Sequence, residues 1–594
     1  MNAGHSRRAR RYRPGRKRRA GTAALTGLAA GVAVTFLLVL GARSFVSHDA
    51  CTAHPVVVNV AVSSELGPAV RHLGRIFNRQ RRMVSGRCAQ VTVSTESPAT
   101  VAAQLAGAPH GRHLPPVSAW IPDSGLWAGL ARGSAAGARQ VRPTGITLAR
   151  SPLVIAMPRS AAAMTPAFGS SVSWKFLLPQ SAGGPGDGLG LHVEFPDPTS
   201  SATGVVTLTE LQRIVGQGAA GRADLAEFAL HIQVEPPAGA GVSLASLAAW
   251  TPPAGASAGI GPALAPVTVT TEQAVVQFDR AHPGQPLAVR YPAEGSQELS
   301  YPYLLTTASP VIRAAADDFG TLLRSPYTAS YLRYAGFRTG TGSGTAGRWP
   351  GSYGLDSGEP HLLAQPTAIQ AAATMQMWQR LSLGSRDLAL ADISSAMTAR
   401  SKPAGPDLQQ QVAQGAGAGL AMFPDSTEMG LWTFPSRIVD GLAYQQLVPV
   451  GPLPARFGAG TRRQQIQSLV QSGQPLANVP APLYRTILTA YQQMLATYRP
   501  RYTNGLLVLT AGVDRDPTDI TATTLVHDLQ VLYDPKRPVR IVVVMLGRGG
   551  DLAALSQIAA TTSGQATAIT SYSQLGPVLY HALAQGLCQP ACTG

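Results

Sequence analysis

The chain has 594 residues, 45% of them hydrophobic, and a formal net charge of +17. That length leaves room for several domains, and that apolar share supports packed cores and excludes wholesale disorder. Nine basic residues (Arg7, Arg8, Arg10, Arg11, Arg13, Arg16, Lys17, Arg18 and Arg19) lie before residue 20 with no acid among them, which leaves +8 for everything after. The remainder shows no basic stripe interleaved with aromatics, so nucleic-acid binding is set aside.

Residues 1–20 read as a basic cytoplasmic tail. The uncharged stretch Gly21–Ala42, GTAALTGLAAGVAVTFLLVLGA, follows directly. At ~1.5 Å per residue it spans about 33 Å, enough to cross a hydrocarbon core of ~30 Å. A basic flank on its N-terminal side predicts that the tail stays inside and the bulk of the chain lies outside. A cleaved signal peptide is the competing reading; its apolar region would be too long, and no small-x-small site follows clearly. Cys51 is a poor lipidation site, because His48-Asp49-Ala50 separates it from the apolar stretch. An uncleaved single-pass anchor is expected.

Four cysteines, an even number, suit an oxidising compartment. Three pairings are possible. Cys51 with Cys88 and Cys588 with Cys592 are favoured, and no nearby His pair offers zinc spacing instead.

From Pro55 short β-branched runs alternate with helical stretches. VVVNVAVS (56–63), CAQVTVST (88–95), VSAWIPD (117–123) and SPLVIAMP (151–158) read as strands; LGPAVRHLGRIFNRQ (66–80) and SPATVAAQLAG (97–107) read as helices. Repeated β–α–β units predict a mostly parallel sheet with helices on its faces. Gln180–Leu189, Pro236–Pro266 and above all Thr339–Pro360 are rich in Gly, Pro, Ala or Ser, and the last is the best domain boundary. Beyond it come a helix over 367–382, strand 387–391, helix 406–423, strands 428–434 and 447–450, and helix 482–498. Strand 504–510, helix 523–533, strand 538–546, helix 552–561, a short strand 566–569 and a helix 572–585 complete a doubly wound α/β unit.

In that C-terminal unit LALADISSAM (388–397) places Asp392, Ser394 and Met397 at the mouth of a buried strand. It resembles the first loop of von Willebrand factor A-type domains, which reads D-x-S-x-S and, with a Thr and an Asp from two further loops, holds magnesium. NVPAPLYRTILTAY (478–491) and TNGLLVLTAGVDRDP (503–517) resemble those further loops, in order. Here the second serine is Ala396, the threonine is Ala481 and the aspartate is Ala511. A hard cation needs more oxygen donors than Asp392 and Ser394 supply, so a degenerate, metal-free site is expected. Asp514 or Asp516 could compensate, although acids in surface loops are usually solvated. The plainer reading of Asp392 and Ser394 is that they shape and cap the turn.

The N-terminal region resembles the extracellular solute-binding proteins that serve ATP-driven importers, through AVSSELGPAV (61–70), FPDPTSSATG (195–204), TTEQAVVQF (270–278) and YPAEGSQELSYPYLLT (291–306). The resemblance implies two α/β lobes closing on a ligand, with Ser63, Ser64, Ser124, Thr199, Ser200, Ser201, Thr203 and Gly204 at the ligand-binding positions. Free N–H groups at helix N-termini suit an anion or carboxylate there. Ordinary turn and cap chemistry is the alternative for every one of them.

Apparent catalytic motifs carry nothing. Gly255-Ala-Ser257-Ala-Gly259 lacks a leading strand and follows Pro252-Pro253; Gly342-x-Gly344-x-x-Gly347 has no helix after it; His110 and His113 sit in a Pro/Gly-rich loop. The expected architecture is therefore α/β throughout: a transmembrane helix (21–42), a two-lobed periplasmic-binding-protein-like (type 2) domain (55–338), a linker (339–364) and a Rossmann-like von Willebrand A-type domain (365–587). Its expected role is binding rather than catalysis, with no cofactor. A small ligand and a protein partner at the cell surface are the expected partners. An importer receptor and a purely structural or adhesion protein are the alternatives.

Overall fold

The computed structural model describes residues 54–108, 114–169, 171–178, 191–234, 244–251, 265–340, 360–400, 405–421, 423–435, 444–477, 479, 481–513, 516–575 and 578. The stretch expected to cross a membrane, residues 341–359 of the linker, Asp514, the two discounted glycine motifs, His110, His113, Cys51, Cys588 and Cys592 lie outside them. Among the described residues no helix is long and apolar enough to cross a membrane. Cys88 is buried and disulfide-bonded.

The elements used below begin with β1 (Val56–Val62), α1 (Gly67–Arg79), β2 (Arg87–Thr95), β3 (Ala119–Ile121), α2 (Gly125–Arg132) and β4 (Arg142–Pro158). Then come β5 (Leu191–Phe195), α3 (Ala202–Val215), β6 (Ala265–Thr271), α4 (Glu272–Ala281), β7 (Leu287–Arg290), β8 (Glu298–Leu305) and α5 (Pro310–Leu323). In the first lobe β1 pairs in parallel with β2 and β3, as the β-branched runs with intervening helices predict. In the second, β6 pairs in parallel with β5.

Two antiparallel strands join the lobes. The 17-residue β4 pairs with β8 over its first part and with β6 and β7 over its last. Sequence reading found only 151–158 of it. The first half is partly exposed and holds Pro143 and Gly145, so it lacks the continuous apolar run of the second. Only the first two residues of β6, Ala265 and Pro266, fall in a segment read as loose, and the rest of the strand was given no element. Next to the crossing, Arg338 is buried with its guanidinium 2.8 Å from Glu272 Oε2, and the Tyr291 hydroxyl donates to the same carboxylate at 2.6 Å.

Helix α6 (Ala368–Leu381) is opened by a capping box between Thr367 and Gln370. It was expected to start the C-terminal unit. Instead it packs on α2 of the first lobe and α3 of the second. Trp378 enters the same core as Phe195 and Phe228, and Thr374 Oγ1 lies 3.0 Å from Thr209 Oγ1 and donates to Gln212 Oε1 at 2.9 Å.

The C-terminal unit comprises β9 (Ser385–Asp392), β10 (Glu428–Phe434), β11 (Gln445–Pro452), α7 (Leu483–Ala496), β12 (Thr503–Thr510), α8 (Ala522–Leu532), β13 (Val539–Leu546), α9 (Leu552–Thr561) and β14 (Gln565–Ile569). The sheet order is β11-β10-β9-β12-β13-β14, with only β11 antiparallel. This is the doubly wound order, and the chain reverses direction across the sheet beside β9. A buried Glu428 is clamped between Arg386 (3.2 Å) and Arg499 (2.6 Å) at the opposite, N-terminal edge of β9.

Candidate functional site: an interlobe cleft and a sheet rim

Strand β1 ends at Val62, and the backbone N–H of the next residue, Ser63, donates to Ile121 O at the end of β3 (3.0 Å). Two residues beyond each of these stand Glu65 and Asp123. The Tyr301 hydroxyl, on the joining strand β8, donates to Glu65 Oε2. Trp127 Nε1 donates to Asp123 Oδ1 at 2.8 Å. The backbone N–H of Ala202, in the first turn of α3 on the other lobe, also stabilises the Asp123 carboxylate. The cleft is thus bridged at this point.

Burial pushes Asp123 up to about 7, the neighbouring Glu65 charge pushes in the same direction, and the donors from Trp127, Ala202 and its own backbone only partly offset them. Glu65 is raised by burial too, against the Tyr301 hydroxyl, and that hydroxyl is itself held well above the usual tyrosine range. As residues, Glu65 and Asp123 are each half-buried.

The hydroxyl positions expected from sequence fall differently. Ser124 caps α2 by accepting Leu126 N at 3.2 Å, and Ser201 caps α3 by accepting Gly204 N at 3.4 Å. Thr199 donates from both N and Oγ1 to the Asp197 carboxylate, and Ser200 Oγ contacts Asp197 O at 3.5 Å, so these two shape the turn. Ser64 is exposed, Thr203 is buried, and Ser63 is buried with no partner for its Oγ. Cap and turn chemistry therefore accounts for four of the eight. Glu65, Asp123, Trp127 and Tyr301 were missed, although three of them stand inside stretches quoted above. A reading that expects an anion passes over carboxylates.

Gly204 has a steric role. A Cβ there would sit 2.1 Å from Pro196 O and 2.9 Å from Pro198 N, both backbone atoms that cannot swing aside. Gly204→Ala is expected to cost about 1–3 kcal/mol by overpacking the entry to α3, read as a lower denaturation midpoint. A variant as stable as the parent would show that the 196–204 turn is adjustable.

At the C-terminal sheet, Asp392 ends β9 and is 2% exposed. Its Oδ1 accepts Ser394 N at 2.8 Å; its Oδ2 accepts Thr510 Oγ1 at 2.7 Å and Ala511 N at 3.1 Å. Ser394 Oγ accepts Ala396 N at 3.3 Å. Ala396 and Ala511 are buried in an apolar cluster with Met397, Leu408, Val544, Leu546 and Ile569. Ala481 is buried just before α7. Asp516 accepts N–H and hydroxyl of Thr518, a turn contact. Thr510, the donor that ties the first loop to the third, was missed by sequence reading.

A cavity of about 480 Å³ lies where α6 leaves the lobes, lined among others by Asp197, Thr199, Trp378, Arg380, Phe423 and Thr427. Neither Glu65, Asp123 nor Asp392 lines it.

Two α/β lobes joined by crossing antiparallel strands, with a polar cluster between them, define a two-lobed binding-protein fold. Residues 58–338 match the model of a family described as bacterial extracellular solute-binding proteins. Two uncharacterized proteins of Mycobacterium tuberculosis, from different strains, are 30% identical over 145 residues, 24% of this chain and 20% of theirs. The chain thus spans about a fifth of the curated relatives it matches. Similar solved structures include the sulfate-binding protein of Mycobacterium tuberculosis (16% identity, 48% of this chain and 87% of that one, TM-score 0.33). A periplasmic thiamin-binding protein (14%, 55% and 96%, TM-score 0.38) is another. A von Willebrand factor type A protein from Catenulispora acidiphila matches at 14%, over 34% and 43%, with TM-score 0.26.

Proposed function

We propose that the chain is a membrane-anchored extracellular binding protein that captures a small ligand between its lobes and docks a protein partner through a metal-free, von Willebrand A-like domain. The observation that carries the first half is the convergence of Glu65, Asp123 and Tyr301 on the crevice between two lobes that match a solute-binding family. Support for the second half is the doubly wound sheet with Asp392 at its switch point, its carboxylate already committed to three protein donors. With those oxygens spent, recognition at this rim rests on shape and hydrogen bonding. The uncharged stretch 21–42 behind its basic tail supplies the anchor in this reading, and Cys51 supplies the partner of Cys88.

An importer receptor is the second reading, and the solute-binding family supports it. Such a receptor must open and close, whereas α6 packs on both lobes and resists their separation. Native mass spectrometry of the full chain, purified in mild detergent, tests the proposal. The expected result is a small molecule travelling with the protein and released on denaturation. Protein without any such adduct, whose melting temperature no small molecule in a broad screen raises, would sink ligand capture.

A further inference from the structure

We infer that the interlobe crevice takes a positively charged ligand, seated between Glu65 and Asp123. The inference rests on the proposed capture function and adds the chemical class. Donors and acceptors are unequally spent here. The helix N-termini that could grip an anion are occupied: Ser124 takes Leu126 N, Ser201 takes Gly204 N, and Asp123 itself faces Ala202 N. An incoming anion would meet two carboxylates in place of free N–H groups.

Acceptors, by contrast, are in surplus. Among the described residues Glu65 receives only the Tyr301 hydroxyl, Asp123 has no ion pair, and no cationic side chain acts on either carboxylate. Ser63, whose backbone N–H ties the two segments by donating to Ile121 O, carries a buried hydroxyl with no partner among the described residues. Two desolvated carboxylates without a counter-charge are costly, and such sites recruit either protons or a cation.

A protonated amine and a metal cation share this chemistry, so both enter the test. The full chain is titrated calorimetrically at pH 7.5 with 1,4-diaminobutane, with calcium chloride and with sodium sulfate, and each titration is repeated on Glu65→Gln and Asp123→Asn. The inference expects the diamine or calcium to bind, and whichever binds identifies the source of the charge. Each variant should weaken that binding about tenfold or more, since a charged hydrogen bond contributes ~1.5–3 kcal/mol. Binding should also release protons, seen as a dependence of the heat on buffer ionisation, because Asp123 titrates at about 7. Melting curves of the variants report folding separately. Sulfate binding that survives or strengthens in Glu65→Gln overturns the inference, as does cation binding indifferent to both substitutions. An anionic or neutral molecule found travelling with the protein refutes the cationic class while leaving ligand capture intact. No binding of any probe, with no travelling molecule, counts against capture itself.

Discussion

Replacing Trp378 by alanine is expected to destabilise the two-lobed domain by about 3–5 kcal/mol, the range for removing a fully buried large aromatic side chain. Trp378 is 1% exposed, and its ring lies 5.9 Å from that of Phe195, which in turn meets Phe228 edge-on at 5.2 Å. Its helix, α6, sits where a Cβ on Gly129 of α2 would come within 2.9 Å of Ala368, and Thr374 bonds to α3. Losing the indole therefore opens a cavity at the seam between the lobes, beyond what is lost in either core. Thr374→Val, which keeps the volume but removes two hydrogen bonds, should cost about 1 kcal/mol. Denaturant unfolding of the full chain, followed with probes in each domain, separates the alternatives. If Trp378→Ala lowers only the transition of residues 385–575 and leaves that of residues 55–338 unmoved, α6 belongs with the C-terminal sheet after all. The same variant should widen the lobe separation measured between spin labels on α2 and α3. An unchanged separation would deny α6 its role as a strap.

The helix itself was legible: an N-cap threonine and a glutamine three residues on announce its start. Its allegiance was not, because nothing local says which domain an apolar face will join. The buried strands were legible for the same reason that β4 was only half so. Runs rich in β-branched residues mark β1 and β13, whereas the strand passing from one lobe to the other is partly exposed over its first half. At the cleft, sequence reading named hydroxyls within stretches that also hold carboxylates. Hydroxyls at 124 and 201 were assigned to a ligand, and the structure spends them on caps. Carboxylates at 65 and 123 lie 58 positions apart in the chain, and only the parallel pairing of β1 with β3 brings their loops together. At the sheet rim the ordered loops did place Asp392 beside Ala511. Thr510 was passed over because a threonine ending a strand looks like ordinary strand chemistry.

Asp392→Ala is expected to destabilise the C-terminal unit by about 3–5 kcal/mol. The substitution leaves Ser394 N, Thr510 Oγ1 and Ala511 N without their acceptor in a site sealed from water, and each buried orphan costs ~1–3 kcal/mol. The loss exceeds what a surface turn aspartate would show, because the carboxylate ties the first loop to the third across the switch point of the sheet. Asp392→Asn should fall between the two: its amide oxygen replaces one acceptor, while its NH2 is turned toward a donor. A metal-binding rim would behave otherwise. An aspartate held ready for a cation loses metal-dependent stability when mutated, and the parent gains stability as RT ln(1 + [L]/Kd) when metal is added. Here the melting temperature of the parent's C-terminal unit is expected to stay within about 1 °C between chelator and millimolar magnesium, and that of Asp392→Ala is expected to be lower by the same amount in both. A magnesium-induced rise that disappears in Asp392→Asn would mean that the three alanines do not abolish the site, and the partner would then be sought through a bridging cation.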